Sequence, residues 1–240
     1  MTDLIKEAEA LIFDGDGTLY DTLDMWDTID YRLINAIGGN ANNSIVGKDR
    51  DEFLHNNNTG DVFMNYANFL RIKYNSSFMT EQINSMRNTI AMDYLKNVEF
   101  KPYALEFLIK SKQEGKHLCL ATLSSKWVID IYSKENGKLN SKFPIEKLFD
   151  VILTKEDVTL KKPDPQIYNL ASKLLNVPKN KCVIFEDSLT GVQAGKSSGI
   201  SVVNVFDKHT SGEDLAKIQE MTNIKIKDWK SLLFSHDKEQ

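Results

Sequence analysis

Asp14 and Asp16 stand two residues apart in the run Asp14-Gly15-Asp16-Gly17-Thr18, directly after the apolar stretch Ala10-Leu11-Ile12-Phe13. Two carboxylates so spaced in a tight turn can divide labour, one attacking an electrophile and the other moving a proton. Their alternative use is a turn that merely reverses the chain. A second acidic turn, Glu186-Asp187-Ser188, follows another apolar stretch, Cys182 to Phe185, and precedes Gly191. If Asp14 and Asp187 converge, they present hard oxygen ligands without a nearby thiol or imidazole, a donor set that favours Mg²⁺ over zinc. On its own, the Glu186-Asp187 pair could equally serve a helix N-terminus. Thr122 in Leu120-Ala121-Thr122-Leu123-Ser124 and Lys162 in Lys161-Lys162-Pro163-Asp164-Pro165 add a hydroxyl, loop N–H groups and an ammonium. Together these suit a tetrahedral oxyanion; separately, Thr122 reads as a strand-end cap and Lys162 as a solvated charge.

These groups can meet only if the elements before them lie side by side. Short β-rich runs recur at Ala8 to Phe13, His117 to Thr122, Val151 to Thr154, Cys182 to Phe185 and Ser201 to Phe206, with helical stretches between most of them. One helix is expected from Pro102 to Gln113, with Gly115 just past its end. A second runs from Lys126 to Glu135 behind Ser124 or Ser125, with Gly137 closing it. A third follows Asp164-Pro165 and places Ile167, Leu170, Ala171, Leu174 and Leu175 on one face. Strand alternating with helix predicts an α/β fold, a doubly wound parallel sheet with a Rossmann-like core.

The first connection breaks that rhythm, since the second run begins near His117 and a crossover needs only about 30 residues. Residues 22–98 read as helices around Met25 to Ile37, Asp61 to Tyr74 and Thr80 to Asn97, without a convincing strand. They are taken as an inserted α-helical cap domain, leaving 1–21 and 99–240 as the catalytic core.

The 240 residues carry a net charge of −4, with 27% charged and 41% hydrophobic positions. That is the profile of a globular chain, and with no basic block it argues against nucleic acid or an acidic membrane surface as the main partner. No stretch approaches the roughly 18 consecutive apolar residues of a membrane span, and Asp3, Lys6, Glu7 and Glu9 occupy the place of a signal peptide's apolar segment. A cytoplasmic location is expected, and no protein partner is evident. Cys119 and Cys182 each lie in an apolar run and read as buried reduced thiols.

In their order along the chain, Asp14 to Thr18, Thr122, Lys162 before Pro163, and Glu186-Asp187 resemble the four motifs of the haloacid dehalogenase-like superfamily. The insertion after the first motif resembles that family's small helical cap. The resemblance implies a phosphoaspartyl mechanism in which Asp14 attacks phosphorus and Asp16 serves as acid and then as base. It also implies Mg²⁺ held by Asp14, the main-chain carbonyl of Asp16 and Asp187, with Glu186 contributing directly or through water. Thr122 and the Leu123 N–H would hold phosphoryl oxygens, and Lys162 would offset their charge. Within the superfamily, Lys-Pro-Asp-Pro and Glu-Asp-Ser are most similar to the group of β-phosphoglucomutase and small sugar-phosphate phosphatases. Val46-Gly47-Lys48-Asp49-Arg50 resembles that group's cap loop, making Arg50 the expected reader of the substrate's far end. Trp26 falls where the mutase's hinge histidine would be, which favours a phosphatase of a small phosphorylated metabolite over a β-phosphoglucomutase-like phosphotransferase. A non-catalytic binding protein is the third reading.

Overall fold

The computed structural model describes residues 3–42, 46–47, 50, 53, 61–141, 143–222 and 224–234. The chain divides into two compact units, residues 1–21 with 98–240, and residues 22–97. Val98 thus sides with the larger unit rather than the insertion. It is buried there, and its carbonyl accepts a hydrogen bond from Asn136 Nδ2 at 2.9 Å.

The larger unit is built on six parallel strands: β1 (Ala10–Phe13), β2 (His117–Ala121), β3 (Val151–Leu153), β4 (Cys182–Glu186), β5 (Ser201–Val205) and β6 (Ile224–Ile226). Their order is β3-β2-β1-β4-β5-β6. The chain leaves β1 toward β2 and β3 and then returns to β4 on β1's other side. Strand order therefore reverses at β1, where the loops following the strands form the crevice in which such sheets bind ligands. Register is set by Ile12, which lies opposite both Cys119 and Ile184.

Every residue of β1 is fully buried, as both faces of a parallel sheet require. Alternation sends Ala10 and Ile12 to a face packed by Ile167, Tyr168 and Ala171 of helix Gln166–Leu175 and by Val192 and Ala194 of helix Leu189–Ser198. Leu11 and Phe13 take the other face. There Phe13 stacks on Phe185 with centroids 4.9 Å apart, and Phe107 and Trp229 close around the pair. Trp229 also donates from Nε1 to the carbonyl of Thr18 at 3.2 Å, tying the aromatic core to the loop after β1.

Three details depart from the sequence reading. The first strand begins at Ala10, because helix Asp3–Glu7 precedes it and Ala8 still bonds to Leu4 O. Gly137 does not close the helix after Ser125; that helix ends at Lys134, and Gly137 opens a short new turn capped by Asn136 Oδ1 accepting from Leu139 N. The sheet also gains β6, a three-residue edge strand too short to show alternation.

The smaller unit contains helices Leu23–Ala36, Val62–Lys73 and Thr80–Leu95, with no strand among its described residues. Leu33, Ile34, Tyr66, Ala67, Leu70 and Ile83 form its apolar centre. Asp61 starts the second helix by accepting from Met64 N. Lys48 and Asp49 of the expected substrate loop lie outside the described residues. No helix among the described residues is long and apolar enough to cross a membrane.

Candidate active site

The loop after β1 is a closed turn. Leu19 N and Tyr20 N both bond to Gly15 O, Gly17 N bonds to Tyr20 O, and Asp14 N reaches across to Phe185 O at 3.0 Å. Gly17 adopts φ +77°, and a Cβ there would lie 2.4 Å from Asp187 Oδ2, so glycine is needed for both conformation and space. A Cβ on Gly15 would come 3.2 Å from Thr122 Oγ1, which shows how closely the first motif approaches the loop after β2.

Lys162 Nζ sits among the ends of three strands. It donates to Asp14 Oδ1 at 2.5 Å, to Glu186 Oε1 at 2.7 Å and to the carbonyl of Ala121 at 3.2 Å, and lies 4.9 Å from the centre of the Tyr168 ring. The peptide bond between Lys162 and Pro163 is cis. Glu186 has no exposed surface and uses both oxygens: Oε1 accepts from Lys162 and from Tyr168 Oη at 2.9 Å, and Oε2 accepts from Asp187 N, Ser188 N and Ser188 Oγ, each at 3.0 Å. Glu186 is therefore the fixed anchor of Lys162. Gly191 makes room for it, since a Cβ at Gly191 would overlap Glu186 Oε1.

Asp187 accepts from Thr18 Oγ1 at 2.5 Å through Oδ1, and its main-chain carbonyl accepts from Thr210 Oγ1 at 3.3 Å. Oxygens of Asp14, Glu186 and Asp187 lie within 4.8 Å of one another. Burial pushes the Asp14 carboxyl up to about 7, with Glu186 adding to the rise and Lys162 opposing it. Burial, then Glu186 and Asp14, push Asp187 well above the usual carboxylate range. Burial works against the charge on Lys162, but Asp14 and Glu186 outweigh it and hold the ammonium well above its ordinary value. One lysine is thus shared by two of three clustered carboxylates, Glu186 and Asp187 buried and Asp14 partly so, and negative charge is left over.

Asp16 is handled separately. Its Oδ2 accepts from Ser124 Oγ at 2.5 Å, and the Ser124 N–H donates to Thr122 Oγ1 at 3.0 Å. Asp14, Asp16, Thr122, Lys162, Glu186 and Asp187 consequently belong to one cluster at the ends of β1, β2 and β4, and Leu123 directly follows Thr122 there. Three members have no role in the site in the sequence reading: Thr18, Ser124, which reads there only as a candidate helix cap, and Tyr168. The first two lie inside motifs that the sequence displays, whereas Tyr168 has only its helical spacing to mark it, which reads as core.

A family model described as haloacid dehalogenase-like hydrolase matches residues 11–205. The chain belongs to that family. It is 30% identical over 222 residues to the phosphorylated carbohydrates phosphatase of Thermotoga maritima, a match covering 90% of this chain and 94% of the relative. The crystal structure of CbbY from Rhodobacter sphaeroides in complex with phosphate superposes with a TM-score of 0.70 at 24% identity, covering 94% of this chain and 96% of that one. The β-phosphoglucomutase of Clostridium difficile gives a TM-score of 0.68 at 20% identity, with 95% of each chain covered. At these identities the two structures attest the fold. Among haloacid dehalogenase-like hydrolases this chain thus has a phosphatase relative, and it shares its fold with CbbY and with a β-phosphoglucomutase.

Arg50 lies in the smaller unit, 9% exposed. It donates from NH2 to Asp27 at 2.9 Å and from NH1 to Asp30 at 3.2 Å. Asp30 has no exposed surface and also accepts from Arg87 Nε at 3.3 Å. The Arg87 guanidinium carbon sits 5.0 Å from the Trp26 ring centre and 4.8 Å from that of Phe63. The expected substrate reader is thus part of an ion-pair cluster within the helices.

Proposed function

We propose that this haloacid dehalogenase-like hydrolase is a Mg²⁺-dependent phosphatase of small phosphorylated metabolites, sugar phosphates first among them, acting through an aspartyl phosphate on Asp14. The observation that carries this reading is the separation of the two carboxylates of the first motif. Asp14 is paired to a lysine that neutralises it, and Asp16, two residues on, is turned to a different partner.

The buried carboxylates fit a divalent cation. They supply hard oxygens in excess of the single lysine charge, and among the described residues no thiol or imidazole joins the group. Asp14, Asp187 and the main-chain carbonyl of Asp16 would hold the ion, with Glu186 behind them fixing Lys162. When bound, Mg²⁺ supplies positive charge to the equatorial oxygens of the phosphoryl group.

An oxygen of Asp14 attacks phosphorus in line, forming the O–P bond as the ester P–O bond breaks. Asp16 gives its proton to the departing alkoxide, so a poor leaving group departs as a neutral alcohol. Lys162, fixed by Glu186 and Ala121, meets charge growing on the phosphoryl oxygens without having to reorganise. Thr122 and the Leu123 N–H are assigned to the same oxygens. Water then attacks the aspartyl phosphate, Asp16 takes its proton, and the bond to Asp14 breaks to release phosphate.

Phosphatase is preferred to mutase because Trp26, lying against Arg87, has an indole N–H that neither ionises nor accepts a proton near neutral pH and so cannot shuttle one. A non-catalytic binding role is disfavoured because all four motifs keep competent side chains. The helical unit is read as a substrate-covering cap, with Arg50 meeting the non-phosphate end. Phosphate release from a panel of sugar, nucleotide and three-carbon phosphates, with and without Mg²⁺, tests the reading. Release that needs both the metal and Asp14 supports it. Wild-type rates in Asp14→Asn overturn the nucleophile, and isomerisation of a sugar phosphate without phosphate release would make the chain a mutase.

A further inference from the structure

We propose that Ser124 is the positioning residue for Asp16, holding its carboxylate in place for proton transfer. The inference rests on the phosphatase reading above. It starts from a single contact, Ser124 Oγ donating to Asp16 Oδ2 at 2.5 Å, made between residues 108 apart in the chain.

Ser124 is itself immobilised from both sides of its backbone. Its N–H donates to Thr122 Oγ1 at 3.0 Å, and its carbonyl accepts from Lys155 N at 3.2 Å. The segment containing Lys155 is pinned in turn, because Asp157 Oδ2 accepts from both Thr154 N and Thr154 Oγ1 at 2.8 Å, and Glu156 Oε2 accepts from Lys126 N at 2.9 Å. The Ser124 hydroxyl therefore projects from a loop braced within itself and by the neighbouring segment Thr154–Asp157, and its backbone is held independently of Asp16.

A group that must serve first as acid and then as base gains nothing from free rotation about its side-chain bonds. Each step needs the proton-bearing oxygen within hydrogen-bond reach of an oxygen on phosphorus. The Ser124 hydrogen bond restrains the Asp16 carboxylate in one orientation. In the first step the carboxyl O–H of Asp16 breaks as the proton goes to the leaving oxygen; in the second, a water O–H breaks and the carboxyl O–H re-forms. The Ser124 proton stays on Ser124 throughout. Sequence position alone does not assign this role, since Ser124 also reads as one of two residues able to cap the helix that follows.

The test is Ser124→Ala, read on two substrate types. For an alkyl phosphate, whose leaving group needs a proton, kcat/KM should fall about 10- to 100-fold. For an aryl phosphate with a good leaving group it should change less than about threefold, because that bond breaks without protonation. The same aryl substrate should show a burst of phenol approaching one equivalent per site, as hydrolysis of the aspartyl phosphate becomes the slow step. Ser124→Thr, which keeps the hydroxyl, should restore the wild-type pattern. Equal losses on both substrates, or Ser124→Thr behaving like Ser124→Ala, would show a structural or substrate-contacting role and overturn the proposal. Loss of the wild-type protein's own Asp14-dependent activity would instead sink the phosphatase reading, so the two failures are distinguishable. If Ser124→Ala does not fold, the burst and the leaving-group ratio are read on Ser124→Cys, whose thiol is a poor donor, with the same outcomes deciding.

Discussion

Each unit of this protein holds a cluster of charges that is in large part buried, and the two clusters differ in their balance. In the sheet unit one ammonium, Lys162, is shared by Asp14 and Glu186, and Asp187 lies beside them, so negative charge is left over; burial first, and Glu186 with it, push the Asp14 carboxyl up to about 7. In the helical unit Arg50 and Arg87 face Asp27 and Asp30, two charges of each sign, with Arg87 lying over aromatic rings as well. A balanced, hydrogen-bonded cluster can be held for the sake of the fold. An unbalanced one costs stability unless something else brings positive charge, and that cost is tolerated where a ligand or a reaction uses it. The difference separates a site that does chemistry from one that holds helices together.

Substitutions that reverse this contrast should have opposite signatures. The largest effect is expected from Asp14→Asn: turnover should fall below detection, by about four orders of magnitude or more, while the metal-free protein melts no lower than wild type because an excess charge has been removed. Phosphate release and a thermal melt on the same sample check both halves. Removing divalent ions with EDTA should silence the wild-type enzyme, and added Mg²⁺ should restore it and raise the melting temperature. Full activity in EDTA would contradict the charge imbalance as a metal site.

In the helical unit the signature should invert. Asp30→Asn leaves two buried arginines with one fewer negative partner and should cost about 3 to 5 kcal/mol in denaturant unfolding. A loss well below that would mean the cluster is less tightly coupled than its distances suggest. The smallest effect is expected at the boundary between the two roles. If Arg50 reads the substrate as well as joining Asp27 and Asp30, Arg50→Ala should lower kcat/KM for the true substrate by about one to two orders of magnitude, or roughly 1.5 to 3 kcal/mol. A small aryl phosphate, which has no far end to be read, should be affected much less. Parallel losses on both substrates would make Arg50 purely structural, and no change on either would remove it from substrate recognition.

The sequence by itself determined five of the six strands, their alternation with helices and the order of the reactive residues. These depend on short-range signals: continuous apolar runs for strands buried on both faces, acidic and glycine-rich turns directly behind them, and an interval before His117 too long for one crossover. The positions of Asp14, Thr122 and Glu186-Asp187 at strand ends follow from those signals, and Lys162 lies in the loop between β3 and the helix Gln166–Leu175. The edge strand β6 was not legible, because three residues with one lysine between two isoleucines carry no period to detect. What only the tertiary structure decided is how each group is used. Glu186 proves to be the saturated anchor of Lys162, Tyr168 and Thr18 prove to hold the two acidic residues of the fourth motif, and Arg50 proves to lie among carboxylates. Each of these depends on contacts between residues far apart in the chain. Burial and hydrogen-bond saturation are properties of what surrounds a side chain, and only folding assembles the surroundings.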